Sequence, residues 1–361
     1  MIVKLKDVCI KGTSNIRQKD VNDSGRYPVY GAAGPVGFMN SFQYDEPYVG
    51  VVKDGAGIGR ATYLPSNSSI IGTMQALIPK KNVLPKYLYY AVSSMHLEKY
   101  YSGATIPHIY FKNYKHERFV LVSKKEQEQI IWRFSLLEKM ISNKQQQLLK
   151  LDELIKARFV EMFGDPVINS KNLELSTLAN LGMLGRGRSK HRPRNDPKLL
   201  GGKYPLIQTG EVSQSGLYIR NFSNTYSELG LKQSKLWPKD TLCITIAANI
   251  ASTSILTFNA CFPDSVVGFI SNEDKVKPVF LHYWFSFFQN IIESQATQVA
   301  QKNINLKVLS NLSVIHPPIS LQNEFADFVR QVDKSKFENI VYLNKTLSNK
   351  ILSQIGDVIR D

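Results

Sequence analysis

Apolar and polar positions follow two rhythms along this chain, and each rhythm occurs twice. The first is a set of short β-type runs broken by Gly, Pro, Asn and Asp, among them Tyr48-Val49-Gly50-Val51-Val52, Ala76-Leu77-Ile78 and Phe119-Val120-Leu121-Val122. Leu242-Cys243-Ile244-Thr245-Ile246 and Val266-Val267-Gly268-Phe269-Ile270 have the same character further on. Each set encloses one predicted helix, Pro85 to Tyr101 and Pro278 to Glu293. Proline suits the first turn, where its missing N–H would have no partner anyway.

The second rhythm is helical. Between Lys124 and Phe163 there is neither Gly nor Pro, and Gly164-Asp165-Pro166 gives a sharp stop. Apolar residues at Ile130, Phe134, Leu137, Ile141, Leu148, Leu151, Ile155 and Met162 recur at spacings of three, four and seven, interrupted by Lys144 and Arg158. That pattern predicts a coiled-coil seam on a rod of about 60 Å. A similar stripe, Phe325, Val329, Val332, Ile340, Leu347 and Ile351, runs from Leu321 towards Val358. One alternative is that each helix packs on its own β-rich domain. A domain about 40 Å across is short for such a seam, which favours the two helices pairing with each other, antiparallel about a pseudo-twofold axis.

The two sets also match in order. Leu5 to Val8 answers Leu175 to Leu178, Tyr27-Pro28-Val29 answers Tyr204-Pro205-Leu206, and Val83 to Tyr90 answers Val276 to Tyr283. Ser102 to Thr105 then answers Ser294 to Thr297, and Glu126-Gln127 answers Leu321-Gln322, with offsets drifting only from 170 to 195. We read a duplication and an α+β fold. It comprises a β-rich domain over 1–123, a helix over 124–164, a second β-rich domain over 165–320 and a second helix over 321–361.

Charge narrows the partner. The 361 residues carry a formal charge of +15, which favours a polyanion such as nucleic acid over a merely basic surface or an acidic protein. Cys9, Cys243 and Cys261 lie far apart without metal-ligand spacing, as expected of a reducing compartment. Met1 to Asp7 lacks the apolar stretch of a signal peptide, and no run reaches membrane-spanning length. The expectation is a cytoplasmic protein with no membrane contact.

The densest cation run is Arg186, Arg188, Lys190, Arg192 and Arg194, interleaved with Gly187, Ser189, His191 and Pro193. Arginine grips phosphate and pairs bidentately with guanine, so Arg186 to Arg194 is a candidate DNA contact, against the alternative of a solvated mobile loop. In the first half, the glycine-rich Val52 to Arg60 is not GxGxxG and leads into a strand, which disfavours a nucleotide loop and favours a turn presenting Lys53 and Arg60. Thr73 and Gln75 fit either base contact or a simple strand end. Loops after the embedded helices contribute Thr105, His108, Lys112 and Asn113 in one half and Gln298, Lys302 and Asn303 in the other, where hydroxyls, amides and lysines could reach bases and phosphates. His108 and His191 could equally be structural. There is no GxxxxGK[ST] loop, no HExxH and no GxSxG, and the carboxylates form no convincing metal-nuclease cluster. The chain reads as a DNA reader with no catalytic or metal site. Other classes still open are a methyltransferase or nuclease with unrecognised motifs and a coiled-coil assembly scaffold.

In its whole organisation the chain resembles the specificity subunit of type I restriction–modification systems. Tyr27 to Ala32 with Gly34 to Gly37, Gly72-Thr73-Met74-Gln75 and Gly187 to Arg194 resemble segments of its recognition domains, and Phe159 to Pro166 resembles the end of its central helix. The resemblance implies that each recognition domain reads half of a split, asymmetric target in double-stranded DNA. It also implies helices that act as a ruler and dock two methyltransferase subunits, with motor-nuclease subunits joining for cleavage. S-adenosylmethionine would then be bound by the methyltransferase partners and no cofactor by this chain.

Overall fold

The computed structural model describes residues 1–103, 107–191, 193–247, 249–295 and 304–342, with 288–295 and 342 described by backbone alone. Thr105, Arg192, Gln298, Lys302, Asn303, Leu347 and Ile351 therefore lie outside the described residues. The chain forms two compact units, Met1–Gln146 with the segment beginning at Asn339, and Gln147–Glu338.

The first unit is built on an antiparallel four-stranded sheet in the order Cys9–Gly12, Met74–Pro79, Tyr48–Val52, Ala61–Leu64. Tyr48–Val52 is buried along its full length, as expected of a central strand without polar alternation. A smaller sheet pairs Tyr27–Gly31 with Gly34–Met39 and, in parallel, with Ser69–Ile70. Ile2–Lys4 lies beside Arg118–Val120, so the unit's first strand is zipped to its last.

The second unit repeats this plan. Gly182–Arg186, Val266–Ser271, Leu242–Thr245 and Thr253–Leu256 form an antiparallel sheet in the corresponding order, extended by Tyr218–Ile219. Its smaller sheet again holds one parallel pair, Leu200–Leu206 with Ala260–Cys261. Leu175–Thr177 closes against Ser313–Ile315. Trp237 fills the space between the sheets, stacked on Phe262 with centroids 5.0 Å apart. It fits because Gly185 and Gly268 face it; a Cβ on either would lie 2.6 or 2.7 Å from the indole.

Both embedded helices form, with one difference. Pro278–Gln295 spans the predicted segment, whereas its counterpart stops at Ser93. His96, at φ 52°, breaks the helix, and Leu97–Tyr100 continues as a 3₁₀ turn. The long helix runs from Lys124 to Phe163, as its sequence predicts, and Gly164 ends it at φ +78°.

The seam differs along its length. Phe134 packs on Tyr90 of the embedded helix, 4.7 Å between ring centroids, and Ile130 joins the same unit's core. Near this end the long helix thus covers its own domain, the alternative left open by the sequence. In the second unit Ile155 and Phe159 pack with Val329 and Val332 in one core. Arg158 reaches Glu324 at 2.8 Å and Lys336 bonds Asp152, so the two helices run antiparallel there. Leu137, Ile141, Leu148 and Leu151 are only half-buried, and Ile340, expected on the seam, is 42% exposed. Polar pairs take its place: Lys144 donates to Asn339 at 3.0 Å, which explains why a lysine interrupts the apolar stripe.

One side chain ties each helix to the domain before it. Gln127, fully buried, donates from Nε2 to the Asn82 and Val122 carbonyls, both at 2.9 Å, while its Oε1 accepts from the Leu84 N–H at 2.8 Å. Gln322, also fully buried, donates to the Lys275 and Pro317 carbonyls at 3.1 and 2.9 Å and accepts from the Lys277 N–H at 2.9 Å. In both units one amide bonds two backbone groups beside the proline that opens the embedded helix and one carbonyl just before the helix that follows the domain. Without that amide each of those groups would lose this partner.

Candidate nucleic-acid interface

In the first unit the candidate residues gather around a cleft of about 340 Å³ between strand ends and the loop after the embedded helix. Lys11, Lys53 and Lys112 line it together with Gln75, Ser14 and Tyr110. The loop is fixed against the glycine-rich turn: Gly55 N–H donates to Pro107 at 3.0 Å, Ile109 N–H to Lys53 at 2.8 Å, and His108 Nδ1 lies 2.7 Å from Asp54. The turn tolerates this close approach because Gly55, Gly57 and Gly59 all have positive φ, and a Cβ on Gly59 would meet the Glu98 nitrogen at 2.4 Å.

Several expectations change here. Gln75 is only 4% exposed and donates from Nε2 to the Gly12 carbonyl, so it braces the cleft floor and is no exposed reader. Arg60 turns back to the Ala32 carbonyl and is not presented by its turn. Thr73 stays exposed, its carbonyl accepting from the Lys53 and Asp54 N–H groups. Lys53 is shared with Asp54 at 3.4 Å, Lys112 lies over the Tyr110 ring at 5.4 Å, and Asn113 is exposed. Lys11 and Tyr110 were not singled out in the sequence: Lys11 is a lone lysine on a strand, and Tyr110, though inside the candidate loop, was passed over for the amide, lysine and histidine around it.

In the second unit the arginine-rich segment is not a loose loop. Gly187 N–H donates to Val266 and Arg188 N–H to Phe262, and a Cβ on Gly187 would meet the Pro263 carbonyl at 2.3 Å. Gln233 Oε1 accepts from both Lys190 and His191 N–H, at 2.6 and 3.1 Å. Asp264 gathers the flanks, binding Arg186 through its carbonyl and Arg194 through its carboxylate, each at 2.5 Å. His191 lies 3.1 Å from Asp196, whose carboxyl is held below the usual carboxylate range by the Lys198 N–H and by His191. Ser189 is buried and lines, with Arg194, a cleft of about 270 Å³ against the smaller sheet. The Arg188 and Lys190 side chains are exposed, with no partner for either among the described residues. The sequence located the run but could not show that Gln233 and Asp264, far along the chain, would hold it.

Among the described residues no three potential metal ligands cluster, and no helix is long and apolar enough to cross a membrane.

Comparison with known proteins fits the repeated plan. The family of type I restriction modification DNA specificity domains matches residues 1–153 and again 170–351. The chain belongs to that family. A relative of this specificity-domain chain, the putative type I restriction enzyme MjaX specificity subunit of Methanocaldococcus jannaschii, is 23% identical, over 77% of this chain and 69% of the relative. The fold resembles that of the type I restriction–modification S subunit from M. genitalium, with TM-score 0.59, 15% identity and coverage of 98% and 95%. It also resembles a chain solved in work on complex assembly and conformational transition of the type I system, with TM-score 0.60, 14% identity and coverage of 98% and 96%. At these identities the structural likeness speaks for the fold.

Proposed function

We propose that this chain gives a type I restriction–modification complex its DNA sequence choice and performs none of the chemistry itself. Recognition domains over 1–123 and 165–320 each read half of a split target in double-stranded DNA. The helices that follow fix the gap between the halves and dock two methyltransferase subunits, with motor-nuclease subunits joining for cleavage. S-adenosylmethionine then belongs to the methyltransferases. The observation carrying this reading is the repetition: two units of one topology, each tied to its helix by an equivalent glutamine, present unlike basic faces. Reading two different half-sites on a common scaffold calls for that combination. Trp132 and Leu136, 66% and 46% exposed one turn apart on the long helix, are suitable apolar anchors for a docked subunit.

Methylome sequencing of a host carrying this chain with its methyltransferase tests the reading. A two-part motif with a fixed gap is expected, and a continuous motif would sink it. Deleting four residues from the long helix removes about 6 Å of rise. The permitted gap should then shorten by about one or two base pairs, at about 3.4 Å each. An unchanged gap would separate the helix from the spacing.

A further inference from the structure

We propose that the cleft of the first unit is a seat for one phosphorylated deoxyribose, with Lys11, Lys53 and Lys112 closing on a single phosphate and Tyr110 walling the sugar. The inference rests on the DNA-binding reading above and deepens it by naming what this part of the interface holds. Its chemistry is that of a pentose phosphate, whether in a DNA backbone or in a free nucleotide.

Three observations converge. The lysines come from chain-distant segments, a strand end, the glycine-rich turn and the short helix Phe111–Tyr114, yet line one cavity. Asp54 lies 3.4 Å from Lys53, while Lys11 and Lys112 have no carboxylate partner among the described residues, so the cavity keeps a surplus of positive charge. At about 340 Å³ the cleft reaches the size range of sites for small organic ligands, roomier than a bare phosphate requires. Tyr110, about half exposed, and the lysine stems give it an apolar wall that a sugar can cover.

The wall is also preorganised. Its loop is hydrogen-bonded to the opposite turn through Pro107, Ile109 and His108, and Gln75 fixes the floor by its bond to Gly12. Lysine is a compact charge on a flexible stem and accepts a phosphate in any orientation. Three lysines on one phosphate therefore supply grip without sequence preference, beside the exposed Thr73 and Asn113 that remain available to bases.

The test uses the full chain and a duplex carrying its target, with affinity measured by fluorescence anisotropy across a salt series. Each phosphate neutralised contributes about 0.9 to the slope of log K against log salt. Lys11→Gln, Lys53→Gln and Lys112→Gln combined should lower that slope by about 0.9, because they share one phosphate, and leave the preferred sequence unchanged. No change on DNA, together with no binding of deoxyadenosine monophosphate, overturns the seat, as does a fall of about 2.7, the sum for three separate phosphates. Should the triple variant fold poorly, methylphosphonate scanning of the duplex with unaltered protein replaces it. One position should reproduce the same loss of slope and make Lys112→Gln silent; absence of such a position, with no nucleotide binding either, overturns the seat.

Titration with deoxyadenosine monophosphate distinguishes the sources. Binding that Lys112→Gln abolishes, without any slope loss on DNA, assigns the seat to a free nucleotide. Loss on DNA with no nucleotide binding assigns it to the DNA backbone. If the unaltered chain shows no salt-dependent DNA affinity and also ignores the nucleotide, both the seat and the DNA reading fall. If it binds DNA normally while every lysine variant is silent, only the seat falls.

Discussion

The first unit meets its candidate ligand with lysines around a cleft, and the second with a pinned arginine ridge, although the sheets behind them have the same strand order. The scaffold is set by positions that must be buried, such as Tyr48–Val52 and Leu242–Thr245, where any polar substitution costs desolvation. The candidate binding side chains sit at strand ends and in the segments between those strands, where the constraint is solvation and local geometry. Repetition and divergence therefore occupy different atoms of one fold. The lysine cleft supplies orientation-tolerant charge, whereas Arg188 can present a planar fork able to distinguish guanine edges.

The strongest way to break this comparison is through the cores. Phe159 is fully buried with Phe163, Phe280, Phe287 and Phe325 at centroid distances of 4.8 to 5.5 Å. Phe159→Ala should cost the second unit about 3–5 kcal/mol in thermal unfolding. Phe134→Ala, which removes a ring packed on Tyr90 alone among aromatic partners, should cost the first unit less. Equal losses would mean that the long helix is anchored alike in both units.

Next come the two glutamines. Gln127→Leu and Gln322→Leu each remove the partner of three backbone groups, and each should destabilise its own unit by about 1–3 kcal/mol in denaturant titrations. Losses that differ several-fold would show that the matching geometry hides unequal roles. A smaller effect is expected at the ridge. Arg188→Ala and Lys190→Ala should each lower the salt slope of DNA binding by up to about 0.9, and Arg188→Ala alone should relax sequence preference within one half-site. Preference lost in both half-sites would contradict independent readers.

The smallest effect separates the units by pH. His282, in the second unit, pairs through Nδ1 with Thr253 Oγ1 at 3.0 Å, and desolvation pushes its pKa from 6.5 down to about 4. The fold favours neutral imidazole, so this contribution is complete above about pH 6.5 and is lost as pH falls towards 4. His282→Asn should flatten the acid side of the second unit's stability profile between those values, as read by urea unfolding at pH 7 and pH 5. A slope unchanged in the variant would assign the acid sensitivity elsewhere.

Much of this was legible in the sequence, for identifiable reasons. The long helix announces itself through missing Gly and Pro over Lys124 to Phe163, and the duplication through ordered matches. The match of Gln127 with Gln322 was visible, but its meaning was not, because a buried amide bonds backbone groups up to 47 residues away and backbone carries no sequence signal. The early stop at Ser93 was hidden since His96, not glycine, takes the left-handed conformation. Ile340 was misplaced because spacing alone cannot show where an apolar stripe gives way to Lys144 with Asn339. Among candidate site residues, clustered charges such as Arg186 to Arg194 stand out in the sequence. Lys11 does not, for it joins Lys53 and Lys112 only after folding.

The short pairings Ile2–Lys4 with Arg118–Val120 and Leu175–Thr177 with Ser313–Ile315 have a consequence for how such chains can change. Each domain is spliced into the chain at a single place, its first and last strands side by side. A foreign domain with the same two-strand root could therefore be grafted there, complete with its own loops, without rerouting the helix that follows. A new DNA target could then arise from one recombination event at these roots, with no need for gradual revision of many contacts.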